Sequence, residues 1–303
     1  MASIGSPRIG RRTALVLFFL IPLFFASNML VARWNAGEIP SVALAFGRWT
    51  LTFAILLPFV AERLWRGRDE IRAQWRTYLW LGFLGMGLCG APVYAAGIST
   101  TAMNIALIYA VSPVLVVLIG WWRYGEPIAA RQIIGVAACF AGMAWIVLRG
   151  EPANVLRLAF VPGDLMVVVS MVAWSIYSVQ LRHSPTRFDP TTRLAAICAG
   201  GVLVTLPFYV GEFALFAPTP LEWKTAGIVL FLALVPGVGS YLSYSLIVAA
   251  LGPATASLIL YLTPLYGAGL GWLLLGEQLA GFHLVGLALL MPGLWLGTRR
   301  QAK

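Results

Sequence analysis

Ser170, Trp174, Tyr177 and Ser178 stand at i, i+4, i+7 and i+8, the spacing that gathers side chains on one face of a helix. Gly237, Ser240, Tyr241, Tyr244 and Ser245 form a second such face, and Asn28, Tyr94, Tyr109, Ser112, Ser257 and Tyr261 recur inside other apolar runs. Rings and hydroxyls of this kind hold a small molecule by stacking and hydrogen bonding. Breaking its bonds takes positioned acids, bases, nucleophiles or metal ligands, and these are scarce. His183 lies in a loop and His283 near the end of an apolar run. Asp164 opens a run, while Glu126 and Glu277 sit in loops before two others, where a carboxylate interacts favourably with a helix dipole. Cys89, Cys139 and Cys198 lie inside apolar runs as small packing residues and build neither a disulfide nor a metal framework. Gly85-Met86-Gly87-Leu88-Cys89-Gly90 matches a dinucleotide fingerprint without the strand that must precede it. An integral-membrane enzyme, such as a lipid-modifying transferase, is disfavoured, and no cofactor or metal is expected.

The elements that position these residues follow from composition. Hydrophobic residues make up 60% of the chain and charged ones 11%, with a mean hydropathy of +0.86. A soluble domain carries roughly a quarter charged residues to coat its surface. This chain can coat a particle only in lipid. Ten apolar stretches approach the roughly 20 residues of a spanning helix: about 13–33, 41–61, 77–98, 101–122, 131–149, 163–181, 193–211, 225–249, 254–275 and 280–298. They lack the alternation of barrel strands. The expected fold is an all-α integral membrane protein with ten transmembrane helices. Arg11-Arg12, an apolar run and Ala26-Ser27 resemble an export signal, but cleavage would leave nine spans, so a retained first span is expected.

The chain also repeats itself at a step of 151 residues. Ser112-Pro113 becomes Thr263-Pro264, Gly125-Glu126 becomes Gly276-Glu277, and Gly135, Gly142 and Arg149 fall on Gly286, Gly293 and Arg300. Residues 1–150 and 151–303 thus read as two five-helix repeats. Five is odd, so the second repeat enters the membrane inverted relative to the first, an arrangement that supports alternating access. The short connections at 99–100 and 250–253 make spans 3–4 and 8–9 tight hairpins, the natural moving parts.

The net charge of +10 comes from 21 basic residues. With the N-terminus inside, sixteen of them fall in inner segments, only Arg33, Arg149, Arg157 and Lys224 fall in outer ones, and Arg48 lies within a span. That bias sets orientation and explains the basic charge without a nucleic-acid partner. Both termini are expected in the cytoplasm. Trp65 and Trp75 among the arginines of the 62–76 loop read as interfacial anchors.

Tyr and Trp normally gather at membrane interfaces, and at mid-depth their polar atoms need a partner or water. The set Asn28, Tyr94, Tyr109, Ser112, Trp174, Tyr177, Tyr241, Tyr244 and Tyr261 therefore marks a hydrated, aromatic-lined cavity that binds a small molecule. Pro113 and Pro264 are repeat-equivalent and mid-span, each freeing a backbone carbonyl, and are expected as hinges beside it. Arg48 either snorkels to the membrane surface or faces the interior to meet a carbonyl or a carboxylate. The absence of a buried charge points away from a strongly charged ligand. Carriers of cationic drug-like or nucleotide-type compounds are the rival class.

The segments Ser112-Pro113 through Gly142 and Thr263-Pro264 through Gly293 resemble the doubled EamA domain of the drug/metabolite transporter superfamily. Phe25-Ala26-Ser27-Asn28 is similar to its opening helix, Arg48 to its second-helix arginine, and Gly163-Asp164 with Trp174 and Tyr177 to the start of its second copy. The resemblance covers nearly the whole chain, with Trp122-Arg123-Tyr124 before Gly125-Glu126 more polar than the pattern. It implies an inner-membrane exporter of small metabolites, often amino acids, with YddG-like amino-acid exporters as the most similar branch. Its partners would be the substrate and the lipid bilayer, and the unit a monomer or homodimer.

The topology is checked by cysteine labelling in a background lacking the native three. Val155→Cys and Pro218→Cys should react with an impermeant reagent applied outside, whereas Arg68→Cys and Thr186→Cys should not. The reverse pattern would invert the orientation.

Overall fold

The computed structural model describes residues 11–126, 128–153, 161–215, 222–243 and 259–298, and every regular element among them is helical. The first half comprises α1 (Arg11–Asn35), α2 (Ser41–Arg66), the short α3 (Arg68–Ala73), α4 (Trp75–Gly82), a π-helical segment (Phe83–Leu88), α5 (Ala91–Ala96), α6 (Ala102–Tyr109), α7 (Ser112–Tyr124) and α8 (Ala130–Val147). The second comprises α9 (Pro162–His183), α10 (Pro190–Leu215), α11 (Trp223–Leu232), a second π-helical segment (Ala233–Gly239), α12 (Ile259–Leu275) and α13 (Gly281–Thr298). Each expected span falls mainly on helix among its described residues. Among these residues six helices are long and apolar enough to cross a membrane. Phe59, Trp122, Leu203 and Trp223 are exposed on the outside of the bundle, as a lipid-facing surface requires.

Three spans are not continuous α-helices. Gly82, Gly85 and Gly87 loosen the third, and the π segment closes with Cys89 N–H donating to Leu84 O, five residues back, at 3.1 Å. Pro236 does the same to the eighth. The fourth breaks at Ala110-Val111, immediately before Pro113 at the second position of α7. π-Bulges concentrate at functional sites because they turn carbonyls away from the helix axis.

The halves interlock rather than sit side by side: α8 packs along α13, α2 along α10, α1 along α12, and α9 against α6 and α7. The α8–α13 seam carries the internal symmetry. A Cβ on Gly142 would lie 2.9 Å from Gly286 O, and one on Gly293 would lie 2.9 Å from Gly135 O. The 151-residue step turns the first contact into the second (142 + 151 = 293, 286 − 151 = 135). Cys139 and Leu290, themselves one step apart, meet through Cys139 Sγ and Leu290 O at 3.7 Å. Contacts that exchange under the repeat place a pseudo-two-fold axis between these antiparallel helices.

At the end rich in arginine, α3 pins the loop before α10. The Glu70 carboxylate accepts from Thr186 Oγ1 at 2.6 Å, from the Arg187 N–H at 3.0 Å and from Tyr78 OH at 3.2 Å. Burial raises its pKa, but these donors outweigh burial and hold it below the ordinary carboxylate range.

The seam sets a stability prediction. Gly142→Leu should overpack α8 against Gly286 and Leu290, lowering stability by about 1–3 kcal/mol. Thermal unfolding in detergent measures it, and Gly211→Leu, which meets open space, is the control.

Candidate functional site

Helices from both halves converge on a cavity of ≈ 90 Å³ in the middle of the bundle. Asn28 of α1, Tyr109 at the end of α6, Ser112 and Pro113 of α7, Trp174 of α9 and Tyr241 after the second π segment all line it. Tyr94 stands one layer behind, fully buried. Tyr177 lies beneath Trp174, with ring centroids 5.3 Å apart and planes 29° from parallel. Tyr244 lies outside the described residues. Tyr261 and Pro264 are in α12, but their side chains are outside the described set. Thr263, the repeat partner of Ser112, also lines the cavity.

The aromatic walls meet edge to face. Trp174 presents its ring to Phe25 at 6.4 Å and 70° and to Tyr241 at 6.2 Å and 75°, while Trp49 meets Tyr241 at 6.1 Å and 78°. Such pairs fix one another's orientation and leave ring faces free to stack on a ligand.

Arg48 does not snorkel. It is 5% exposed and lines the cavity, so the expectation of a pocket without charge is corrected. Its Nη1 donates to Asn28 Oδ1 at 2.8 Å and to Tyr94 OH at 3.0 Å, and Tyr94 OH donates to Asn28 Oδ1 at 2.9 Å. Nη2 donates to Pro236 O at 3.0 Å, a carbonyl supplied by the π segment. The guanidinium also lies 4.4 Å from the Trp49 ring centroid. Sequence patterning missed Trp49, Phe25 and Pro236. A tryptophan next to Arg48 read as ordinary apolar helix, and a proline inside a span carries no sign that its carbonyl will face inward.

A second cavity of ≈ 170 Å³ adjoins the first at Tyr241 and runs toward the arginine-rich end, between Tyr177, Thr186, Phe188 and Arg193. The opposite end is closed. There the turn between α5 and α6 is held by four separate elements. Arg33 Nη1 of α1 donates to Gly97 O at 2.9 Å. In α9 the Gly163 N–H donates to Ser99 Oγ at 2.9 Å, and Asp164 accepts from Thr100 Oγ1 and Asn104 Nδ2. His283 Nδ1 accepts the Ala280 N–H at 3.0 Å, so Nε2 carries the proton and donates to Asn104 Oδ1 at 3.0 Å. Glu277 completes the closure. Its two oxygens accept the N–H groups of Ala102 at 2.7 Å and Met103 at 3.0 Å, while Thr101 Oγ1 accepts that of Asn104 at 3.0 Å. The first three N–H groups of α6 are thereby satisfied.

Glu126 and Glu277 share a local frame. Gly125 and Gly276 adopt φ 65° and 66°, and the next N–H bonds Gly120 O at 3.2 Å in one copy and Gly271 O at 3.1 Å in the other. Neither carboxylate serves the helix that follows it, the role expected from sequence. Glu277 caps α6, whereas Glu126 pairs with Arg182 and lies 3.3 Å from His183 Nε2.

The EamA-like transporter family matches residues 12–148 and again 161–299. The chain belongs to that family and is a multi-pass membrane transporter, not an enzyme. An uncharacterized transporter of Archaeoglobus fulgidus is 24% identical over 287 residues, covering 94% of this chain and 97% of that protein. A probable terminal-alkyne amino-acid exporter of Streptantibioticus cattleyicolor is 29% identical over 71% of this chain and 73% of its own. A probable amino-acid metabolite efflux pump of Escherichia coli is 21% identical over 93% and 94%. A solved crystal structure is similar in fold, with a TM-score of 0.59 at 20% identity over 95% of this chain and 97% of that one.

Glu277→Ala should loosen the closed end. A helix cap contributes about 1 kcal/mol, so a cysteine at the buried Ala102 should react several-fold faster once the carboxylate is gone. Equal labelling rates with and without Glu277 would show that the cap does not hold this end shut.

Proposed function

We propose that this transporter exports small amino acids, neutral and aromatic ones above all, across the cell inner membrane by alternating access. The observation that carries the reading is the chemistry of the central cavity. Aromatic rings, Asn28, Ser112 and one guanidinium line it, and among the described lining residues there is no carboxylate. The ring faces suit an apolar side chain, and the guanidinium, amide and hydroxyls suit a carboxylate. The ammonium would meet neutral oxygens and ring faces. The names of the Streptantibioticus and Escherichia relatives support the same class.

In this reading residues 1–150 and 151–303 are the two moving halves, and both termini lie in the cytoplasm. The arginine-rich end then faces the cytoplasm, so the cavity running toward it takes substrate from inside, while the Glu277 closure seals the outside. Pro113 and Pro264 are the paired hinges. Export of cationic drug-like compounds fits less well, because the cavity offers a cation its own sign of charge. Nucleotide-type substrates, which carry several negative charges, meet a single arginine there.

Reconstitution into liposomes with labelled amino acids, nucleosides and organic cations tests this. Uptake should be seen for amino acids and for neither of the others; uptake of none would remove the exporter reading. Trp174→Ala should lower amino-acid uptake roughly tenfold or more, given about 1–1.5 kcal/mol for an aromatic contact beyond its buried area, with expression and unfolding temperature near wild type. An unfolded variant without a specific uptake defect would sink the role given to Trp174.

A further inference from the structure

Inside the cavity the hydrogen-bonding ledger is lopsided. An arginine carries five N–H donors. Asn28, Tyr94 and Pro236 take three from Arg48, which leaves Nε–H and one proton of Nη2. Arg48 Nε is buried with no hydrogen-bond partner, and so is Nε1 of its neighbour Trp49, a residue 2% exposed. Both residues line the cavity, with the two nitrogens themselves just beneath its surface. The unmet groups on these two neighbours are therefore donors. Among the described residues no carboxylate lies within ion-pair distance of Arg48.

A buried cation without a counter-ion, beside buried donors without acceptors, is costly in the middle of a membrane. What relieves it must bring negative charge and at least two acceptor atoms. A carboxylate brings both, and adjacent guanidinium nitrogens match its two oxygens. A phosphate brings more charge than one guanidinium offsets, and an ammonium brings donors to a site that already has too many.

We infer that Arg48 and Trp49 Nε1 form a carboxylate-binding site, so that the cavity selects monocarboxylates bearing an apolar or aromatic group, and an ammonium on the ligand is tolerated but not required. Asn28, Tyr94 and Pro236 O are positioning groups that hold the guanidinium in place. The inference rests on the amino-acid reading above and sharpens it. The carboxylate, not the amino group, is the recognised feature, and simple aromatic acids fall within the range of ligands.

The test uses the full-length protein in detergent and three probes of one shape: phenylalanine, 3-phenylpropanoate, which lacks the ammonium, and phenethylamine, which lacks the carboxylate. Phenylalanine and 3-phenylpropanoate should bind within about tenfold of each other, and phenethylamine roughly 10- to 100-fold more weakly, the range of one charge-assisted contact. Arg48→Gln should weaken both acids by that factor and bind the amine at least as well as the wild type does, so the acid-to-amine ratio collapses. A purely structural arginine would not move that ratio. Trp49→Phe keeps the ring and removes only the N–H, so it should weaken the acids a few-fold. It keeps the test available if Arg48→Gln does not fold. Equal binding of amine and acids by the wild type, or equal loss of all three in Arg48→Gln, overturns the carboxylate site while leaving export intact. Binding of none of the three overturns the amino-acid reading and this inference with it.

Discussion

Lipid offers no hydrogen-bond acceptors at the centre of this bundle, so the guanidinium of Arg48 needs acceptors from protein or from what fills the cavity. That requirement organises the site. Asn28 comes from α1, Tyr94 from α5 and the Pro236 carbonyl from the second π segment, three elements that Arg48 ties to α2. An ordinary α-helix keeps its carbonyls for its own N–H groups. The π segment after α11 lets one of them turn inward, and its position beside the cavity has a physical reason: without it Arg48 Nη2 would lack its acceptor.

Helix ends here are met by side chains. A helix N-terminus leaves N–H groups without intrahelical partners, and carboxylates from distant parts of the chain meet them. Glu277 serves α6, and Glu212 from the end of α10 serves α2 through the Val42 and Ala43 N–H groups. Each cap joins one half of the molecule to the other. A cap of this kind is strong while the ends are in register and vanishes when they part, which suits the opening and closing proposed above. Asp164, with Thr100, Asn104 and His283, adds neutral and charged bonds on the same turn. The arginine-rich end is pinned as well, through Glu70 on Thr186 and Arg187, and carries the adjoining cavity.

The fold was legible because lipid leaves strong marks on a sequence: long apolar runs, clustered arginines and a repeat at constant spacing each have one physical cause. The cavity was legible in outline for a similar reason. Asn28, Tyr109, Ser112 and Trp174 are polar or amphipathic residues at mid-depth, and such residues seldom face lipid. What stayed hidden depends on helix rotation and on breaks in helices. Tyr94 and Tyr177 sit a layer behind the wall because a turn of some tens of degrees about the helix axis, invisible in spacing alone, decides between lining and backing. Arg48 could equally have reached the surface. Its inward course follows from Asn28, Tyr94 and Pro236, which lie 20, 46 and 188 residues away. Glu277 looked like a partner for the helix after it, yet its oxygens close on α6, 175 residues back.

The repeat is strict where the molecule packs and loose where it binds. Gly142 and Gly293, Pro113 and Pro264, and the two Gly-Glu turns are kept in both copies, and they are seam, mid-span and turn residues. Pro58 and Pro207 mark the same register in α2 and α10, an offset of 207 − 58 = 149, which sets Ile197 (48 + 149) where Arg48 stands. The guanidinium therefore has no counterpart in the second half. A frame that passes between two mirror-like states needs equivalent parts on both sides, because each half must adopt what the other has left. A ligand with a charged end and an apolar end has no such symmetry. Two guanidinium groups facing each other across one small cavity would repel and would each demand an anion, so the charge can be supplied from one half only. In the proposed reading, symmetry in the seam and asymmetry at Arg48 thus have a common origin, because an unsymmetrical molecule has to pass through a nearly symmetrical machine.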